Sequence, residues 1–302
     1  MPAPRLILPD CHYVITRRCA LRQFGLRPGP TTNAHFDYLL AEAARRTGVQ
    51  VVGYLAMSNH YHAIVRDTEG RLPEFLEYFH KMLARSMNCV WGRWENFWSS
   101  EPPCVTRLVT PEDVLDKLLY VLGNPVNDHL VDRVHQWPGA HSLRAMLSGK
   151  PIQTTRPEEF FRKNGPMPES STLHLTRPPG FEEHSQEEWA TYLKSRLSEV
   201  ELKARKERLA EGKGVLGKDA VLAASHRDTP TTAAPRRNLR PNIACKDPEL
   251  RVRALRAIQT FRVAYAKARE LFLKGVRDVV FPEGTYHMRL MGLNCSGPPP
   301  AC

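Results

Sequence analysis

An α+β fold is what this sequence predicts: an antiparallel sheet with helices against one face, followed by a helical C-terminal extension. Short runs of β-branched and apolar residues occur near 12–16, 50–56, 60–66 and 104–109. Apolar residues recur at three and four positions in the segments between them, the period of a helix with one buried stripe. Beyond about residue 148 the chain changes to proline- and glycine-marked irregular stretches and long charged helical patterns.

Length and charge bound the function. With 302 residues the chain can bury a substantial core, one ordinary domain plus an extension. Forty-three Lys and Arg against 32 Asp and Glu give +11, a balance that favours a polyanionic partner, nucleic acid first. No apolar run is long enough for a membrane span, so no membrane partner is expected. The cysteines at 11, 19, 89, 104, 245, 295 and 302 include no Cys-x-x-Cys pair, and neither a disulfide framework nor a zinc ribbon follows. Residues 1–9 are too short and too proline-broken for a secretory signal, which points to a cytoplasmic location.

The elements follow in order. His12-Tyr13-Val14-Ile15-Thr16 is the first strand, ending in Arg17-Arg18. Phe36, Leu39, Leu40, Ala43 and Ala44 then mark a helix capped by Asn33 and stopped by Gly48. Two strands, 50–56 and 60–66, join at Ser58-Asn59. Leu72, Phe75, Leu76, Phe79, Leu83 and Met87 make 71–90 an amphipathic helix with Arg71, His80, Lys81 and Arg85 on its polar face. That face is either solvated or set against a nucleic-acid strand. Trp91, Trp94, Phe97 and Trp98 either stack on unpaired bases or close the end of the core. Residues 104–109 read as the last strand of the sheet.

Thr110-Pro111-Glu112-Asp113 is a helix start, with a cap threonine, proline in the first turn and a carboxylate at the capping-box position. This helix is expected to end at Gly123-Asn124-Pro125, because proline has no N–H to donate. Residues 148–184 read as an irregular connector. Two further helices are expected at 185–211 and 247–275, the first with Trp189, Leu193 and Leu197 on one face, the second with Leu255, Ile258, Phe261 and Tyr265. Between them 223–242 is irregular and carries Arg236, Arg237 and Arg240, and Gly297-Pro298-Pro299-Pro300 is a loose tail. No internal repeat is evident.

The chemistry centres on Asn59-His60-Tyr61-His62. Side chains alternate along a strand, so His60 and His62 share a face about 6–7 Å apart along the chain and Tyr61 points into the core behind them. Two imidazoles on one face can share a cation, but such a pair is common on strands and gains meaning only with a complementary element. One candidate is the helix from residue 110, where Tyr120 and Asn124 lie four positions apart on one face; Tyr120 is otherwise a core tyrosine. His12 has no paired ligand and stays outside the candidate site.

Three blocks together resemble the REP-associated tyrosine transposases of the single-tyrosine HUH superfamily. They are Cys11-His12-Tyr13-Val14-Ile15-Thr16-Arg17-Arg18, Tyr54-Leu55-Ala56-Met57-Ser58-Asn59-His60-Tyr61-His62-Ala63-Ile64-Val65, and Leu119-Tyr120-Val121-Leu122-Gly123-Asn124-Pro125-Val126; Gln136-Trp137-Pro138 follows as in that family. The sequence departs from the family pattern at Ser58, where proline is usual, and at Arg18-Cys19, in place of glycine-asparagine. The resemblance implies a ferredoxin-like HUH domain over 10–147, leaving 148–184 as connector and 185–290 as a basic helical accessory region. It implies His60 and His62 as metal ligands with Asn124 as a third, a Mg2+ or Mn2+ cofactor, and Tyr120 as nucleophile. The implied activity is a metal-dependent endonuclease and transposase that cuts and rejoins single-stranded or hairpin DNA through a 5′-phosphotyrosine, in DNA recombination. One nucleophilic tyrosine per chain makes paired strand exchange a task for a homodimer. The alternative is a DNA-binding protein of transposase descent without cleavage activity.

Overall fold

The computed structural model describes residues 4–232 and 241–297. Strand β1 (Cys11–Arg18) leads into helix α1 (Pro30–Thr47), then the hairpin of β2 (Gln50–Ala56) and β3 (His60–Asp67). Helix α2 (Leu72–Val90) and strand β4 (Cys104–Leu108) complete the unit. The strands stand in the order β2-β3-β1-β4, all antiparallel, which is the ferredoxin-like arrangement. Helix α3 (Pro111–Asn127) follows at once.

Alternation along the strands sorts the core into two layers. Tyr13, Ile15, Tyr54, Tyr61 and Ala63 pack with Phe36, Leu39, Phe75 and Phe79 of α1 and α2, the expected helical layer. The opposite face is covered as well: Val52, Leu55 and Ile64 pack under Val114, Leu118 and Leu122 of α3. A bulge between Val51 and Gly53 inverts the alternation in β2, so that Val52 and Gly53 both face the α3 layer. Gly53 sits where α3 approaches: a Cβ there would lie 2.5 Å from Leu118 Cδ1.

Several expectations change. Helix α1 starts at Gly29-Pro30, proline supplying a preset φ, and Asn33 lies inside it, donating its amide to the Pro138 carbonyl instead of capping. Gly48 does end that helix, in the left-handed conformation at φ 72°. Helix α3 has the expected capping box of Thr110 and Asp113 but continues through Pro125 to Asn127. A proline at 125 removes the N–H that would meet the Val121 carbonyl, and the Asn124 side-chain amide donates to that carbonyl at 3.5 Å and to the Tyr120 carbonyl at 3.1 Å. The side chain thus takes over an acceptor that the proline leaves open.

The remaining chain wraps this unit. After α4 (Leu143–Ser148), β5 (Ile152–Thr155) and β6 (Ser170–Leu173) form an antiparallel hairpin that packs on α1, so 148–184 is not irregular throughout. Helix α5 (Gln186–Ala210), capped by Ser185 with Glu188, buries Trp189, Leu193 and Leu197 against α3 and α4. Then come α6 (Lys218–Ala223), β7 (Ile243–Ala244), α7 (Pro248–Leu273) and α8 (Tyr286–Leu290). Strand β7 pairs in parallel with β4, so β4 is not the edge of the sheet. On α7 the buried residues are Ala254, Phe261 and Ala268, while Leu255 is exposed. Arg236, Arg237, Arg240 and Pro298-Pro299-Pro300 lie outside the described residues.

Candidate active site

Strand β3 places the two histidines. His60 and His62 project toward the α3 layer with ring centroids 4.8 Å apart, and Tyr61 projects to the other face, fully buried among Phe36, Phe79 and Trp98. The Tyr61 hydroxyl meets His80 Nε2 at 2.6 Å, and Arg17 Nη1 donates to His80 Nδ1 at 3.0 Å. His80, expected on the polar face of α2, is therefore a core residue, 5% exposed, because it supplies Tyr61 with a hydrogen-bond partner inside the sheet layer.

Neighbouring strands orient both imidazoles. Thr16 stands opposite His62 across the β1–β3 ladder, and its Oγ1 lies 2.7 Å from His62 Nδ1. His60 Nδ1 lies 2.6 Å from the Asn59 amide oxygen, an acceptor, so His60 donates from Nδ1 and keeps Nε2 unprotonated when neutral. Arg18 pairs with His60 in the same ladder. Burial first, then the Arg18 charge, lowers the His60 pKa to about 4. His62 falls well below its ordinary value through burial and the charges of His60, Arg18 and Lys117. Both rings are neutral at pH 7.

Helix α3 brings Tyr120 to this face. Its ring is 5.9 Å from that of His62, at 75°, and the side chain is 49% exposed, not the core tyrosine that its helix position also allowed. Lys117, one turn earlier, places Nζ 5.2 Å from the Tyr120 ring centroid. The Tyr120 hydroxyl is held above its ordinary pKa by burial and then by the Asp128 charge, with Arg18 opposing. Asn124 lies one turn beyond Tyr120, 6% exposed; its amide nitrogen is committed to helix carbonyls, which leaves the oxygen for another partner. Among the four sequence candidates, the His62 ring is packed against those of His60 and Tyr120, and Asn124 lies one turn further along the tyrosine's helix.

This donor set fits a divalent cation. Each histidine has Nδ1 held by a neighbouring oxygen, the arrangement that turns Nε2 outward as a ligand, and each ring is neutral as ligation requires. Among the described residues no group of three or more His, Cys, Asp and Glu side chains could hold an ion. Two imidazoles and one amide oxygen would be a donor set of a different kind, with positions left for phosphate oxygens and water.

Sequence reading missed Thr16, Arg18 and Asp128. Thr16 and Arg18 meet the histidines only through strand register 46 and 42 positions apart, which nothing local signals. Asp128 had a weak signal, since 120, 124 and 128 repeat at helical spacing, but a helix expected to stop at Pro125 hid it.

No protein-family model matches the chain, and no curated protein matches it. Solved structures do. One is a REP-associated tyrosine transposase bound to a REP hairpin, 16% identical, with 49% of this chain and 86% of that chain covered at a TM-score of 0.39. Another is a Deinococcus radiodurans R1 protein described as a transposase, 17% identical, covering 41% of this chain and 97% of that chain at a TM-score of 0.29.

Proposed function

We propose that this protein is a tyrosine transposase of the HUH kind, which cuts and rejoins single-stranded or hairpin DNA through Tyr120. The observation that carries the reading is the packing of the exposed Tyr120 ring 5.9 Å from His62, whose ring lies 4.8 Å from that of His60. The order of the three sequence blocks adds to it.

His60 and His62, with the Asn124 oxygen, would hold Mg2+ or Mn2+, which when bound polarises the scissile phosphate and offsets its charge. The chain's own residues do the rest. Asn59 keeps His60 in one tautomer, and Thr16 holds the His62 ring in one orientation. Arg18 and Lys117 add positive charge where a phosphodiester must enter. Tyr120 Oη carries its proton at rest, because burial and Asp128 favour the phenol. On attack the Tyr120 Oη–P bond forms and the P–O3′ bond breaks; the phenolic proton ends on the departing 3′ oxygen. The products are a 5′-phosphotyrosine and a free 3′-hydroxyl, and because the phosphodiester count is unchanged, reversal rejoins DNA without a nucleotide cofactor. Paired exchange of strands would need a homodimer, each copy supplying one tyrosine.

The test uses a single-stranded hairpin oligonucleotide with Mn2+. Wild-type protein forms a covalent adduct that migrates slowly in denaturing gels, and Tyr120→Phe forms none while still binding DNA. An adduct that persists in Tyr120→Phe removes Tyr120 from its role. Binding without an adduct in the wild type favours a DNA-binding protein of transposase descent.

Among the described residues no helix is long and apolar enough to cross a membrane.

A further inference from the structure

We infer that residues 214–232 of the accessory region form the second wall of a slot that holds an unpaired DNA strand beside the candidate active site. This rests on the nucleic-acid part of the function proposed above, not on cleavage. A cleft of about 1310 Å³ opens next to His60; its inner wall includes Arg18, Arg22 and Asn59, and its outer wall is built from residues between Gly214 and Thr232.

The outer wall is tied down at both ends. Near its start, Leu216 N–H donates to the His129 carbonyl and Gly217 N–H to the Leu130 carbonyl, both at 2.9 Å, just past the helix that carries Tyr120. Val221 is buried in the core beneath α3 and α5. Near its end, Phe24 N–H donates to the Asp228 carbonyl at 2.9 Å, Arg27 donates to the Ala224 carbonyl at 2.6 Å, and His226 stacks on Trp91 at 4.7 Å. The segment therefore bridges from the tyrosine helix to the loop after β1, across the approach to the histidines.

The inner wall is held in a strained shape. Leu21 and Arg22 have φ of 53° and 60°, a left-handed pair without glycine, a conformation that persists only where the surroundings over-determine it. Backbone bonds from Cys19 to Asn59, Ala20 to Phe97 and Leu26 to Ser58 impose it here. The result fixes Arg22 on the cleft side and Leu21 in solvent, 83% exposed.

Charge and polarity match one unpaired strand. Arg18, Arg22 and Arg227 face the cleft from both walls. Three arginines there face two carboxylates, Asp128 and Asp228, the latter accepting the Ser225 N–H, so positive charge is in excess on the lining. Val215 and Leu216 supply apolar surface on the outer wall, 39% and 56% exposed, and Phe24 is half-buried in the lining. Arginines for phosphates with an aromatic ring, Phe24, among the apolar lining for base faces is the pattern that holds single strands without sequence preference. A duplex would have to displace the tied outer wall.

The test measures binding of a fluorescent oligodeoxythymidine of about 16 nucleotides by anisotropy, in EDTA, across salt concentrations. Arg22→Glu and Arg227→Glu are each expected to weaken binding by about tenfold at low salt and to reduce the salt slope by about 0.7 per lost phosphate contact. Arg144→Glu on α4, outside the cleft lining, controls for net charge. Arg227 is exposed, so its substitution leaves the fold intact, and a thermal melt verifies that. If Arg227→Glu behaves as Arg144→Glu while Arg22→Glu weakens binding, the outer wall takes no part and the inference fails; it fails too if the wild type prefers duplex over single strand. Loss of the Tyr120 adduct with these binding effects intact would overturn only the cleavage reading.

Discussion

Replacing Thr16 with valine tests how the candidate site is oriented. The side chains are nearly the same shape, so the change removes one oxygen from beside His62, where Oγ1 and Nδ1 are 2.7 Å apart. His62 is 7% exposed, and water has little access to the nitrogen left behind. An imidazole with its Nδ1 partner gone is no longer held in one orientation, and any fraction protonated at Nε2 cannot ligate a cation through that nitrogen. Loss of such an orienting partner typically weakens metal affinity about 10–100-fold, or about 1.4–2.8 kcal/mol. The unpaired nitrogen also costs about 1–3 kcal/mol of fold stability. Mn2+ titration followed by calorimetry reads the first effect and urea unfolding the second. Thr16→Ser, which keeps the oxygen, should restore most of the affinity. Wild-type Mn2+ affinity in Thr16→Val, or an equal loss in Thr16→Ser, would refute this account of how His62 is held.

Two further predictions concern the fold around the site. Gly53→Ala puts a methyl 2.5 Å from Leu118 Cδ1 and 3.3 Å from Ser142 Oγ in a closed core, and should destabilise the protein by about 1–3 kcal/mol; an unchanged urea midpoint would show that α3 moves aside freely. Burial lowers the pKa of His80 well below its ordinary value and that of His141 to about 4. The unfolded chain therefore binds protons that the folded chain refuses: stability is full above about pH 6.5 and falls toward pH 4, by up to about 1.4 kcal/mol per pH unit for each such histidine. Asp37, pushed up to about 7 by burial, acts in the opposite sense over about pH 4–7, so His80→Gln should flatten the acid limb of a stability–pH curve without removing it. An acid limb unaltered by His80→Gln would assign it to other groups.

The strands at 50–56 and 60–66, the helix at 71–90 and the capping box at Thr110 were legible because their signals are local: alternation, a three-four period, a cap geometry that spans four residues. The start of α1 and the end of α3 were not. Each is decided by a contact from elsewhere or by one side chain's competing hydrogen bond, as when Asn33 turns to Pro138 and Asn124 covers the carbonyl that Pro125 leaves open. The hairpin of β5 and β6 was hidden for a similar reason, since its strands are four residues each and gain their meaning by packing on α1.

The site divides along the same line. The sequence by itself determined that His60 and His62 share a strand face and that Tyr120 and Asn124 share a helix face, because both follow from backbone periods of two and 3.6. Only the tertiary structure decided that these two faces meet, that Thr16 and Arg18 stand against the histidines by strand register, and that a segment about a hundred residues beyond Tyr120 lines a cleft with His60. The physical reason is that periodicity reports which way a residue points within its own element, whereas what it points at depends on the pairing and packing of distant chain, where energies are summed over many contacts and no short stretch carries the answer.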